Sequence, residues 1–300
     1  MKHLFIQLNV AVVLLLAFSF HCFGAKEYTL EYNLEKGKTY KQRMLSETNV
    51  TMNAMGQDVT MSIEVQMDIN YNVIERNGDV FDLQMSYQKM KMNMSAPALF
   101  SIDSDLPDSS SDKNISNVIQ SMMGIPIDVQ LTKQGKVVSV KGLDKLEAKL
   151  DSIDNEQFKD MFSQQFSEKM IRQALEQSSI YMSAKPVAID DSWDVTSTVS
   201  SNGIDIINKM NLTLKEVKDD VATLEIIGTL ATPEGGAFTT VQGVDAEVSM
   251  NGDQTGTIQM DLKTGWIISS EINQNSEQNI NVMGQTIQQD VEVKAIITAE

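Results

Sequence analysis

The stretch Val59-Thr-Met-Ser-Ile-Glu-Val-Gln-Met-Asp-Ile-Asn-Tyr-Asn-Val73 alternates without a fault. Val59, Met61, Ile63, Val65, Met67, Ile69, Tyr71 and Val73 share one parity, and every residue between them is polar. A period of two means a β-strand with one face toward a core and one toward water. At roughly 3.4 Å per residue such a strand runs about 50 Å, well beyond the usual length. Strands of that kind suit a large, curved antiparallel sheet.

Upstream, residues 27–34 alternate through Tyr28, Leu30, Tyr32 and Leu34, and Lys36-Gly37-Lys38 makes a turn. A second strand carries Val50, Met52 and Ala54 in phase and turns through Met55-Gly56 into the long strand. Arg76-Asn77-Gly78-Asp79 is a hairpin signal. In the returning strand, residues 80–94, the apolar parity moves from Phe81, Leu83, Met85 and Tyr87 to Met90, Met92 and Met94. That change of phase predicts a β-bulge near Gln88.

Next comes a Ser-, Asp- and Pro-rich loop, and Ser111 is placed to cap a short helix with Ile115, Val118, Ile119 and Met122 on one face. A hairpin through Ile127, Val129 and Leu131 turns at Gln134-Gly135. From Leu143 the period becomes helical: Leu143, Leu146, Leu150 and Ile153 form one stripe, and Phe158, Phe162, Phe166, Met170 and Ala174 form another. After Lys185-Pro186 the pattern is β again, with strands at residues 193–199, 204–217, 221–230, 237–250, 257–262, 266–272, 279–282 and 287–297. The sequence Asn53-Ala-Met-Gly-Gln57 is echoed by Asn281-Val-Met-Gly-Gln285, consistent with repeated hairpins.

The expected fold is therefore α+β, dominated by long antiparallel strands in a curved, half-barrel-like sheet, with a helical segment packed on it. The expected organisation is a cleaved signal peptide at 1–25, an N-terminal β lobe at 26–142, a helical segment at 143–186 and a C-terminal β lobe at 187–300. Lys2 and His3 precede an apolar run at residues 10–20 that is too short to span a bilayer, with small residues at Gly24 and Ala25. Cys22 invites a lipoprotein reading, but His21 stands where a small residue belongs. No later run is long and apolar enough to be a transmembrane segment. The expected location is the periplasm or cell surface.

Both histidines (His3 and His21) and the single cysteine fall inside the leader. The chain beyond residue 25 has neither imidazole nor thiol, which excludes a Ser-His-Asp triad, a cysteine nucleophile and a His-Cys zinc site. The net charge of −17 at pH 7 disfavours nucleic acid and anionic surfaces as partners. Ser110-x-x-Lys113, Ser200-x-Asn202 and Lys263-Thr264-Gly265 occur in the order used by serine penicillin-binding enzymes. The last two read as hairpin turns, however, and the chain offers too little helix for that fold. Asp103, Asp105, Asp108 and Asp112 lack the spacing and the glycine of an EF-hand loop. No cofactor, metal or catalytic residue is expected.

Methionine is abundant, 19 in all, and lines both irregular cores and adaptable apolar surfaces. Met61, Met67, Met90, Met92 and Met94, with Phe158, Phe162 and Phe166, are the candidate apolar ligand face, ordinary core packing being the other reading. Trp193 and Trp266 each open a strand and read as buried anchors or as stacking platforms.

Four segments in order carry a family resemblance. They are Leu34-Glu-Lys-Gly-Lys-Thr-Tyr40; Gly124-Ile-Pro-Ile-Asp-Val-Gln-Leu131 with Gly135-Lys-Val-Val138; Pro186-Val-Ala-Ile-Asp-Asp-Ser-Trp193; and Asp261-Leu-Lys-Thr-Gly-Trp266. Together they resemble an exported bacterial family known as domain of unknown function 6263, across nearly all of the chain after the leader. The family pattern has Gly-Asp-Ser-Trp where this chain has Asp190-Asp191-Ser192-Trp193. The resemblance implies a Gram-negative envelope setting and brings no activity. A looser likeness, at the level of architecture, is to half-barrel periplasmic lipoprotein carriers.

These features support two functional readings. One is a non-enzymatic envelope protein that binds a lipid or another hydrophobic small molecule on a concave sheet face. The other is a structural or interaction protein whose partners are envelope proteins. A carboxylate or Ser-Lys hydrolase is the remote third.

Overall fold

The computed structural model describes residues 26–54, 57–95, 100–201, 204–241 and 244–300. Its strands are β1 (Thr39–Ala54), β2 (Gln57–Asn77), β3 (Val80–Met94), β4 (Phe100–Asp103), β5 (Ile127–Thr132), β6 (Val137–Lys141), β7 (Ser192–Ser201), β8 (Ile204–Lys218), β9 (Val221–Ala231), β10 (Ala237–Val241), β11 (Val244–Asp261), β12 (Ile267–Val282) and β13 (Gln285–Ala299). The helices are α1 (Lys113–Met122), α2 (Asp144–Leu150), α3 (Glu156–Gln165) and α4 (Glu168–Gln177). The expected leader and the tip Met55-Gly56 lie outside the described residues.

All 13 strands form one antiparallel sheet, open at β6 and β7, in the order β6-β5-β3-β2-β1-β13-β12-β11-β9-β8-β7, with β4 beside β3 and β10 beside β11. N-terminal and C-terminal strands meet at the β1–β13 pair, where Gln42 faces Ala299 and Met52 faces Gln289.

The ladder sorts side chains into two faces. Tyr71 pairs with Tyr40 and Met85, Met67 with Met44 and Met90, and Met44 with Ile297. One inner face therefore runs unbroken across the sheet, and the helices lie on it. The outer face takes the charge: Arg43 there donates to both carboxylate oxygens of Asp68 at 2.9 Å. This fork holds the Asp68 carboxyl below its usual range.

The inner face carries two cores. In the first, Ile69, Tyr71, Val73, Phe81, Leu83 and Met85 from the sheet pack against Ile115, Ile119 and Met122 of α1, Leu146 and Leu150 of α2, and Phe162 of α3. In the second, Leu212, Leu214, Leu224, Ile226, Ile258 and Met260 gather beside Leu30 and Val187. At Gly252 and Gly256 of β11 the missing side chains let β12 approach closely. A Cβ at Gly252 would lie 2.6 Å from the Ser276 Cβ of its paired neighbour, against about 4.5–5.5 Å between paired residues of a flat ladder.

Several expectations change in detail. The bulge is at Gln88, since Asp68 pairs with Lys89 and Ile69 with Tyr87. Residues 27–34 alternate in burial but join no ladder beyond the bridge from Tyr28 to Val187. They cross the end of the sheet instead, placing Leu30 in the second core and Tyr32 and Leu34 in the first. The cap of α1 is Asp112, whose Oδ1 accepts from Ile115 N–H at 3.0 Å, while Ser111 bonds to Ser101. The phenylalanine stripe does not continue as one helix. Ser167 accepts from Met170 N–H at 3.3 Å and starts α4, which shifts the buried positions to Ile171 and Leu175. Residues 237–250, read as one strand, belong to the paired strands β10 and β11.

In the turn before β7, Asp190 has φ 71°, the left-handed region that the family pattern fills with glycine. Its N–H still donates to Leu214 O at 2.7 Å. Replacing this exposed aspartate with glycine, Asp190→Gly, is expected to raise stability by about 0.5–1 kcal/mol by relieving the left-handed cost. Urea unfolding measures this, and an unchanged or lower midpoint contradicts the turn geometry.

Candidate functional site

β2 and β3 bring the five candidate methionines to one face. Met67 pairs with Met90, Met92 with Val65, Met94 with Ile63, and Met61 with Val50 of β1. The eight candidates then divide by depth. Met90, Phe162 and Phe166 are buried in the first core, and Met67, Met92 and Phe158 pack on its margin. Phe166 sits edge-on to Tyr87 at 5.2 Å, where burial pushes the Tyr87 phenol up to about 12. Phe158 stacks on Phe100 at 4.6 Å. Met61 and Met94 lie farther along the strands, outside both cores.

Beyond the helices the inner face keeps apolar strips on β2 and β13, separated at Ser46 and Thr48 of β1 by hydroxyl side chains. Met61, Ile63 and Val65 of β2 are half-buried, as are Met52 of β1 and Val291 and Val293 of β13, while Val59 is 42% and Ile287 43% exposed. At the margin a cavity of about 420 Å³ opens among Met94, Phe100, Ser95, Ser101 and Ser111 and the outward Ser62, Glu64 and Asn93; its volume is within the size range of small-molecule sites, but its lining is mixed and includes a carboxylate. A larger groove of about 730 Å³ is edged by Asp253, Glu277, Asp290 and Glu292 of the outer face. Its solvated carboxylates offer an apolar molecule nothing.

The inner face is also without charge. No Asp, Glu, Lys or Arg stands at an inward position of β1 from Tyr40 to Met52, of β2 from Val59 to Val73, or of the ladder positions of β7 to β9 and β11 to β13 that share their face. It does carry amides: Asn208, Gln254, Gln274, Gln278 and Gln289 all point inward. The sequence reading missed them. Their signal is a polar residue at an apolar parity, as Gln274 and Gln278 are between Ile272 and Ile280.

The groups weighed for chemistry are engaged elsewhere. Ser110 Oγ accepts from Asp103 N–H at 3.0 Å, Lys113 pairs with Asp108 and Lys263 with Asp220. Asp105 pairs with Lys89 and Asp112 caps α1. Among the described residues no group of three or more His, Cys, Asp or Glu is arranged to hold a metal ion. Trp266 is a buried anchor, with Tyr40 at 4.9 Å, Tyr71 at 5.2 Å and Tyr32 at 6.3 Å; Trp193 packs half-buried on the second core. No described helix is long and apolar enough to cross a membrane, a statement that does not extend to strands.

Among solved structures, lipovitellin, in a study of lipid–protein interactions, matches with a TM-score of 0.53 at 9% identity. The match covers 89% of this chain but only 25% of lipovitellin, so this chain spans about a quarter of that protein, and the likeness concerns the fold. An outer-membrane channel of Pseudomonas putida F1 (TM-score 0.25, 7% identity, 90% of this chain and 97% of that one) and OccK2 of Pseudomonas aeruginosa (0.18, 6%, 88% and 99%) also match, at scores that carry no argument. No curated protein matches the sequence. The sequence model of a family of unknown function, DUF6263, matches residues 78–267, and the chain belongs to that family.

Proposed function

We propose that this protein is a non-enzymatic, exported envelope protein that holds a lipid or similar apolar ligand on the inner face of its curved sheet, beyond the helices. The observation that carries the reading is the continuation of an uncharged, largely apolar face past the packed core, where Met61, Ile63, Val291 and Val293 remain half-buried and Val59 exposed. A sheet that served only its own core would turn polar where the helices end. Apolar surface left contiguous and partly open marks a binding site. The lipovitellin likeness supports the reading because lipid–protein interactions are the subject of that structure. Export is supported by the charged, apolar and small-residue pattern of residues 1–25.

The test is native mass spectrometry of the protein purified from its own host, followed by solvent extraction. The expected result is a releasable acyl-chain or comparable apolar mass. In an Ile63→Asp variant an uncompensated carboxylate on the face should weaken retention by at least about tenfold. Bare protein mass from the host, with no uptake of added lipid, overturns the proposal.

A further inference from the structure

The amides of the inner face are organised. Gln274 Nε2 donates to Gln254 Oε1 at 3.1 Å, and Gln254 Nε2 donates in turn to Asn208 Oδ1. Gln254 stands on β11 and Asn208 on β8, with β9 between them. The residue of β9 at that point is Gly228, where a Cβ would lie 2.8 Å from Gln254 Nε2 and 2.5 Å from Lys209 O. The absent side chain is what lets the glutamine reach across a whole strand. In a parallel row, Gln289 Nε2 donates to Gln278 Oε1 at 2.7 Å. Ser197, paired with Asn208, has a buried hydroxyl oxygen with no partner among the described residues.

Asn208 and Gln254 are 6% and 3% exposed, whereas Gln274, Gln278 and Gln289 are half-buried. The network is thus fixed at one end and open at the other, beside the apolar strip of β13. Buried amides cost free energy unless every group is bonded, and an aliphatic row would pack the sheet more simply.

Resting on the reading that this face binds lipid, we infer that the ligand is a neutral, hydroxyl-bearing lipid, such as a monoacylglycerol, and not an ionised fatty acid. Its chain lies along Met61 and Ile63, and its hydroxyl exchanges hydrogen bonds with the open end of the row at Gln274. A carboxylate there meets no cation, and burying it unpaired is far costlier than burying a hydroxyl that finds an amide.

The test uses delipidated full-length mature protein with Nile red as an apolar reporter, displaced by monopalmitoylglycerol or by palmitate. About pH 8 keeps the fatty acid ionised. About 0.5 M NaCl screens the acidic outer face. Monopalmitoylglycerol should displace the dye at about tenfold lower concentration than palmitate. Gln274→Leu should shrink that ratio to about threefold or less while dye binding persists; Gln274→Met replaces it if the leucine variant does not fold. Palmitate displacing as well as the glyceride, or a ratio unmoved by the variant, overturns the headgroup assignment alone. Failure of the wild-type protein to take up dye or either lipid overturns the lipid-binding reading beneath it.

Discussion

Replacing Gly265 with alanine should lower the unfolding free energy by about 3 kcal/mol or more, one of the two largest single-residue effects expected in this chain. Gly265 has φ 68°, and a Cβ there would lie 2.0 Å from Glu31 O, 2.6 Å from Glu31 C and 2.9 Å from Tyr32 Cα. These are backbone atoms, so no rotamer change relieves the overlap and the whole segment must move. That segment carries Leu30 into one core and Tyr32 and Leu34 into the other, so displacing it loosens both. Gly284→Ala is the matched control: its φ is 80°, but nothing lies within 4 Å of the added carbon. It should lose only about 1–2 kcal/mol, the cost of a left-handed alanine. Equal losses in guanidinium unfolding would mean that the N-terminal segment does not pack against the turn.

Phe162→Ala should cost about 3–5 kcal/mol, the usual toll of emptying a buried phenylalanine site. Phe162 is 1% exposed and lies 6.4 Å from the ring of Phe166, itself 3% exposed. Phe162 belongs to a core filled by side chains of the sheet, α1 and α2, so little can collapse into the space. Phe158→Ala, at the margin of the same core, should lose about half as much, because its ring is half-buried and stacks on Phe100. The comparison also separates core from ligand contact among the candidates. A loss of less than about 1 kcal/mol for Phe162→Ala would show that α3 is not seated on the sheet.

The long strand, the bulge at Gln88 and the inward methionine rows were legible because each is a local matter of period two. The alternation at Tyr28, Leu30, Tyr32 and Leu34 is just as regular, yet it reports only burial on alternate sides. Whether such a segment joins a ladder depends on partners far away in the chain. The helix break at Ser167 was hidden for a similar reason: i, i+4 spacing continues through it, and only the serine's bond to Met170 N–H resets the phase. Of the candidate site, the residues were legible but their depth was not. Met61 and Met90 look alike in sequence, and only the reach of the helices decides that one is core and the other half-open. The amide row was the larger omission. Its members sit at apolar parities among Asn- and Gln-rich strands, where one more polar residue draws no notice until the register places it.

The pairing of β1 with β13 has a kinetic consequence. Gln42 must find Ala299, and Met44 must find Ile297, after nearly the whole described chain has been threaded between them. Contacts of such separation cost loop-closure entropy before they return any energy, and sheets built on them fold slowly. Until β13 arrives, β1 presents an unpaired edge, open to pairing with other chains. A chain that completes its sheet last at the centre stays unstructured longest where it is most aggregation-prone, and the closing of that seam is what ends the exposure.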